Sequence, residues 1–212
     1  MEHEAKEIMK AYGIKVPKEG LATSEEEVLK IARQVEYPVV LKIASPDIQH
    51  KTDAGAVVLN LSKAEDILEA YRKVIQNSKK FDPSADIRGV IVQHMMPKQR
   101  EVIIGVSKDN QFGHVLMFGL GGIFVEVLKD VSFRIVPIEE EDAYEMISEI
   151  RSHQMLCGVR GEKPSDIGAL VDIILKISKF VSDFPEIKEL DLNPVFVCEK
   201  GAVAVDALIV ID

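Results

Sequence analysis

Pro46-Asp47-Ile48-Gln49-His50-Lys51-Thr52-Asp53-Ala54-Gly55 joins two strand-like runs, Pro38-Val39-Val40-Leu41-Lys42-Ile43 and Ala56-Val57-Val58-Leu59-Asn60-Leu61. A tight hairpin needs little more than Asn-Gly or Asp-Gly at such a place. This connection gathers a histidine, a lysine, a threonine, an aspartate and a glycine instead. Those groups suit the binding and movement of a phosphoryl group. Imidazole is one of the few side chains that accept and return phosphate near neutral pH. Gly55 would let backbone approach a ligand closely. The competing reading is a polar surface loop in which His50 is only solvated.

Lys42 interrupts the first apolar run. An ammonium in a buried strand must either snorkel to water at an edge or meet an anion, because burying it unpaired is costly. Upstream, residues 2–12 read as a helix ended by Gly13. Ser24 and Glu27 form a capping box for a second helix, whose apolar stripe is Val28, Ile31 and Val35. Ser62 and Glu65 repeat that signal before a third helix carrying Ile67, Ala70, Tyr71, Val74 and Ser78, and the loop from Lys79 to Asp86 ends it.

The texture then changes. Arg88 to Met96, Glu101 to Val106 and His114 to Phe118 read as an antiparallel meander. Helical spacing returns at Ala143, Met146, Ile147 and Ile150, and again from Ile167 to Val181. Two final strands, Glu189 to Val197 and Ala202 to Ile211, flank a Glu199-Lys200-Gly201 turn. The pattern predicts an α+β fold of two lobes, residues 1–93 and 94–212.

Two further stretches could carry chemistry. Phe118-Gly119-Leu120-Gly121-Gly122-Ile123-Phe124-Val125-Glu126 follows a strand, and its amides could cradle an anion. Its spacing matches neither a P-loop nor a dinucleotide-binding fingerprint, and a plain glycine hairpin is the alternative. Glu126 could contact ligand or metal, and Arg134, just beyond, could bind phosphate. In Glu189-Leu190-Asp191-Leu192-Asn193-Pro194, Asp191 and Asn193 alternate to one face of a strand. Asp206 falls on the next strand, where it could face them. Such oxygens suit Mg²⁺, which takes few protein ligands plus substrate phosphates. A polar strand end closed by proline would look the same.

The bulk properties exclude other classes. The chain has 212 residues, 47% hydrophobic and 29% charged, with a net charge of −9. Basic residues form no stripe and there is no tryptophan, which disfavours nucleic acid. No apolar run approaches the roughly 18 residues of a membrane span. The N-terminus lacks a secretory pattern. Cys157 and Cys198, lacking metal-ligand spacing, are expected to be reduced core thiols of a cytoplasmic protein.

Taken together, these motifs resemble the ATP-grasp superfamily. More narrowly, the chain is similar to the β subunits of ADP-forming acetyl-CoA synthetases and, more distantly, to the nucleotide-binding part of succinyl-CoA synthetase β subunits. The resemblance spans nearly the whole chain. It rests on Ser45 through Gly55, Phe118 through Glu126 with Lys129 to Arg134, Gly158-Val159-Arg160-Gly161, and Glu189 through Pro194. One departure is Ala54-Gly55-Ala56-Val57, where the family expectation is Ala-Gly-Gly-Val.

The resemblance implies an ATP-grasp fold with nucleotide bound between two α+β lobes. It implies that Lys42 contacts nucleotide phosphates, that Gln93, His94, Met95 and Met96 form an adenine-reading hinge, and that Glu101 faces the ribose. Gly55, Gly121, Gly122, Glu126 and Arg134 complete the expected nucleotide and phosphate contacts. Asn193 and Asp206 become Mg²⁺ ligands, with Asp191 beside them as a catalytic group. His50 matches a histidine proposed to carry phosphate. The role of Arg160 does not follow from its motif. The implied reaction makes ATP from acyl-CoA, ADP and phosphate, reversibly, with a separate CoA-binding α subunit in an α₂β₂ heterotetramer. Another ATP-grasp carboxylate ligase, a non-catalytic ADP-sensing subunit and an inactive structural partner are the alternatives.

Overall fold

The computed structural model describes residues 1–48, 50–122, 128–159 and 161–211. The chain forms two compact units. One comprises Pro17–Pro97 with Met1; the other comprises Glu2–Val16 and Lys98–Asp212. The expected division at residue 93 differs from this at both ends of the first unit. The reason is the first helix, α1 (Glu2–Ala11). Its apolar positions Ala5 and Met9, with Ile14 beyond, belong to the core of the second unit. Sequence order gives no sign that an N-terminal helix packs with a later segment.

The first unit is built on a four-stranded antiparallel sheet ordered β1-β4-β2-β3. Its strands are β1 (Glu19–Ala22), β2 (Val39–Ala44), β3 (Val57–Leu61) and β4 (Gly89–His94). Helices α2 (Glu25–Val35) and α3 (Ala64–Phe81) pack on it. Val28, Ala32 and Val35 of α2 meet Ile67, Ala70, Tyr71 and Val74 of α3 over Val39, Leu41, Ile43, Val90 and Val92. The α2 cap forms as expected on the Ser24 side, where Ser24 Oγ accepts from the Glu27 amide at 3.2 Å. Glu27 reaches back to the Thr23 amide and hydroxyl, both at 2.7 Å. The second expected capping box does not form. Helix α3 starts one residue later, so Lys63 is the cap residue and provides no side-chain bond. The helix also continues to Phe81, and Asp82 turns the chain by accepting from the Ser84 amide and hydroxyl.

The predicted meander is shifted by one strand. β4 pairs with β1 and β2, not with β5. Its residues from Gly89 to Gln93 are all buried, as suits an interior strand. The meander instead comprises β5 (Arg100–Asp109), β6 (Gly113–Leu120) and β7 (Val131–Ile135), of which β7 carries no clear sequence signal. These belong to the six-stranded antiparallel sheet of the second unit. It is ordered β10-β8-β5-β6-β7, with β9 also paired to β8. β8 spans Ile187–Val197, β9 Ala202–Ala204 and β10 Leu208–Ile211. The last predicted strand is therefore two, broken at Val205–Ala207.

Helices α4 (Glu140–Glu149), α5 (His153–Leu156) and α6 (Ile167–Asp183) complete this unit. Leu170, Ile174, Ile177 and Val181 of α6 pack with Met146 and Ile147 of α4 and with Ile104, Leu116, Phe118 and Leu192 of the sheet. Cys157 is exposed and Cys198 half-buried, both as free thiols, so Cys157 is not the core residue expected. Among the described residues no helix is long and apolar enough to cross a membrane.

Candidate functional site

In the first unit the candidate residues cluster on β2, β4 and the connection after β2. Lys42 is only 7% exposed and lies between Ile91 and Val57 in the ladder. It is therefore held by the sheet and is no edge lysine. After β2 the chain passes Ser45, whose hydroxyl accepts from the Asp47 amide at 3.2 Å, and the Asp47 carboxylate receives the Asp86 amide at 2.7 Å. His50 follows, exposed, at the head of a compact turn. Its carbonyl accepts from Ala54, that of Lys51 from Ala56 and that of Thr52 from Gly55.

Gly55 has a structural task that differs from the one expected. Its φ is +60°, and its carbonyl receives Asn77 Nδ2 of α3 at 2.7 Å. A β-carbon there would stand 3.0 Å from that same nitrogen. The space beside Gly55 is taken by protein, and the glycine fastens the loop to α3. Gln49 lies outside the described residues.

The expected hinge also divides by role. Gln93 is buried in β4 between Glu19 and Val40. The His94 amide donates to the Lys18 carbonyl and the Met95 amide to the Pro38 carbonyl, both at 2.9 Å. Those two amides are engaged in backbone hydrogen bonds of the fold. His94 Nδ1 is 3.0 Å from the Glu36 carbonyl. Met95 and Met96 are half-buried side chains beyond the end of β4.

In the second unit, Asp191 stands at the centre of β8, opposite Gly105 of β5 and Leu208 of β10. Its carboxyl is pushed up to about 6. Burial is the largest cause, followed by repulsion from Glu189. The Asn193 side chain lowers it by hydrogen bonding, and Asp206 raises it further. Asp206 lies in the break between β9 and β10, where its Oδ1 accepts from the Ala207 amide at 2.8 Å. The tertiary structure thus brings together the three residues that sequence spacing proposed. It adds Glu189, whose place two residues before Asp191 was the available signal. The crowding of acid around a half-buried carboxyl fits a cation. Two carboxylates and an amide oxygen are hard donors of the kind Mg²⁺ takes, and a divalent ion would reverse the local preference for protonation.

Glu101, half-buried near the start of β5, offers its carbonyl to the Gly121 amide at 2.7 Å. A β-carbon on Gly121 would stand 3.0 Å from Glu101 Cβ, and Gly122 adopts φ +66°. The beginning of the glycine-rich segment is therefore packed directly on Glu101. Glu126 lies outside the described residues, as does Arg160.

Arg134, expected to bind phosphate, is engaged by carboxylates of its own unit. Its guanidinium is bonded to both oxygens of Glu149, at 2.9 and 2.6 Å, and to the Phe133 carbonyl at 2.9 Å. Glu145 adds a longer contact at 3.5 Å. These bonds, that to Glu149 foremost, raise its pKa. Alternation along β7 turns it toward the carboxylates of α4, so its charge is already answered.

Comparison with known proteins identifies the family. The model of the ATP-grasp domain family matches residues 1–211. The β subunit of acetate–CoA ligase [ADP-forming] I from Pyrococcus furiosus is 53% identical over 211 residues, covering 100% of this chain and 91% of that one. The chain belongs to the ATP-grasp family of ADP-forming acetate–CoA ligase β subunits. The dinucleotide-forming acetyl-coenzyme A synthetase 1 of Ca. Korarchaeum cryptofilum, solved with coenzyme A, Ca-AMPCP and HgCl⁺, superposes with a TM-score of 0.97. It is 46% identical, and the match covers 100% of this chain and 92% of that one. A second structure of that enzyme holds coenzyme A and Mg-AMPPCP, with its phosphohistidine segment pointing towards the nucleotide-binding site. It matches with a TM-score of 0.87 at 42% identity, over 100% and 92% of the two chains.

Proposed function

We propose that this chain is the nucleotide-handling β subunit of an ADP-forming acyl-CoA synthetase, working with a separate CoA-binding α subunit in an α₂β₂ assembly in the cytoplasm. The reading is carried by the acidic set of Asp191, Asn193 and Asp206, in which burial and neighbouring charge leave a carboxyl seeking a cation. The Mg-AMPPCP complex of a relative that matches the whole chain supports it.

Asn193 and Asp206 would hold Mg²⁺, with Asp191 beside them. When bound, the ion neutralises charge on the nucleotide phosphates. Lys42, rigid in β2, would supply positive charge to nucleotide phosphates. Met95 and Met96 would pack on the base, and Glu101 would meet the ribose. Phosphoryl transfer asks a protein for positioning and charge neutralisation more than for covalent chemistry, and these residues offer both.

His50 would accept phosphate from the α-subunit histidine and pass it to ADP. In each step one P–N bond breaks, and the new bond forms to the next nitrogen or to a β-phosphate oxygen of ADP. Exposure of His50 on a braced turn suits contact with a partner. The test mixes His50→Ala with the α subunit, acetyl-CoA, ADP and labelled phosphate. Loss of label transfer to ADP, with Mg-ADP binding retained, is expected. Full transfer by that variant would remove His50 from the relay, and failure of the wild-type chain to bind Mg-ADP would overturn the reading as a whole.

A further inference from the structure

Arg100 precedes Glu101 at the start of β5, and no role follows from its place in the sequence. Its side chain is 20% exposed and bonds to one loop. Nη1 donates to the Lys163 carbonyl at 2.8 Å and to Ser165 Oγ at 3.3 Å. Nη2 donates to Glu162 Oε2 at 2.7 Å. The segment that carries this loop is itself fixed before α5 and at the loop's end. Ahead of α5, which leads into the loop, the Asp130 carboxylate accepts from the Arg151 amide at 2.7 Å, from the Ser152 amide at 2.8 Å and from the Ser152 hydroxyl. At the loop's end Ser165 donates its amide to Leu156, and Asp166 caps α6 while receiving the Gly201 amide at 2.7 Å.

The loop is also shaped to be gripped. Gly158 has φ +88°, and a β-carbon there would stand 2.4 Å from the Glu162 carbonyl oxygen. Only glycine lets the chain turn back so that residues 162–165 present their acceptors to Arg100. On the next residue, Glu101 carries the Gly121 amide on its carbonyl. A clamp on residue 100 is thereby transmitted through one residue to Gly121 of the glycine-rich segment.

We propose that Arg100 is a positioning residue for the nucleotide: by fastening the start of β5 to the Gly158–Ser165 loop, it fixes Glu101 and, through it, Gly121 and Gly122. The proposal rests on the reading of Glu101 and these glycines as nucleotide contacts. It also gives a task to the otherwise unassigned loop carrying Gly158 and Gly161. Arginine suits this task because its planar fork spreads two nitrogens, Nη1 for the carbonyl and hydroxyl and Nη2 for the carboxylate, where a lysine offers one.

The experiment uses the complete complex with its α subunit, carrying wild-type chain, Arg100→Ala, Arg100→Lys or Glu162→Gln. KM for ADP, KM for acetyl-CoA, kcat and thermal midpoint are measured for each. Arg100→Ala is expected to raise KM for ADP about tenfold, the loss of charge-assisted hydrogen bonds read as affinity. KM for acetyl-CoA and kcat should change less than about twofold. Arg100→Lys should recover part of the loss, and Glu162→Gln, which keeps the backbone bond, should lie between. Amide hydrogen exchange at Gly121 is the second readout, expected to accelerate in Arg100→Ala while β10 is unchanged. An unaltered KM for ADP with unaltered exchange at Gly121 would overturn the proposal, as would a decline of all parameters in step with the thermal midpoint. Should wild type bind no nucleotide while Gly121 still loosens in Arg100→Ala, the functional reading fails and the clamp stands. The Lys and Gln variants keep the test decisive if the alanine variant does not fold.

Discussion

Asp191 stands across the β5–β8 ladder from Gly105, and a β-carbon on Gly105 would come within 3.8 Å of Asp191 Oδ1. It would also be 3.4 Å from Met117 Cε and 3.7 Å from the Leu190 carbonyl, all ordinary contacts. The glycine is thus not demanded by steric clash. It leaves one side of the acidic group open. Gly105→Ala is expected to fold with a stability within about 1 kcal/mol of wild type, yet to weaken Mg-ADP binding by covering Asp191. Calorimetric titration with and without Mg²⁺ checks this. Equal Mg-ADP affinity in the two proteins would show that the opening is unused.

The raised carboxyl of Asp191 makes a pH prediction with a definite sign. Its folded pKa, about 6, lies above the ordinary value of 3.8. The folded state therefore binds the proton more tightly than the unfolded chain does. That contribution is complete below about pH 4 and is lost as pH rises through about 6. Asp191→Asn should raise metal-free stability at pH 7.5 by about 3 kcal/mol, the order set by a shift of this size, and leave it nearly unchanged at pH 4. Activity should be lost. Denaturant unfolding at the two pH values is the measurement, and a stabilisation equal at both would refute the linkage.

The ion pair of Arg134 with Glu149 predicts a stability effect without a binding effect. Arg134→Ala removes a forked, partly sheltered contact, so a loss of about 1–2 kcal/mol is expected. KM for ADP should stay within about twofold of wild type. A large rise in that KM with unchanged unfolding would restore Arg134 to the phosphate site.

The two cysteines should react unequally. Cys157 Sγ lies 3.2 Å from His153 Nε2, and His153 Nδ1 lies 3.0 Å from the Ile147 carbonyl. A proton on Nδ1 answers that carbonyl and leaves Nε2 to accept from the thiol. Because exposure and a neighbouring base favour thiolate reactivity, iodoacetamide should label Cys157 well before the half-buried Cys198. His153→Ala should slow the labelling. Mass spectrometry of timed digests reads both, and faster labelling of Cys198 would contradict the assignment.

Much of this protein is written in local patterns. The stripe of Val28 and Val35, the Ser24 cap, the alternation of Asp191 with Asn193, and the glycines after β6 each follow from periodicity or backbone geometry that neighbours in sequence determine. The family and the acidic set were legible for that reason. What the sequence could not express was pairing between distant segments. It showed β4 as a strand but not that its partners are β1 and β2, and it showed α1 as a helix but not which core takes Met9. It placed Arg134 and Gly55 near phosphate-like motifs but did not show that Arg134 meets the carboxylates of α4 or that the Gly55 carbonyl receives the amide of Asn77. Asp206 was expected within a strand, whereas it stands in the break between β9 and β10. Local propensity chose the elements, and the tertiary structure decided which charges met, because the energy of a charge depends on burial and on partners that chain order does not reveal.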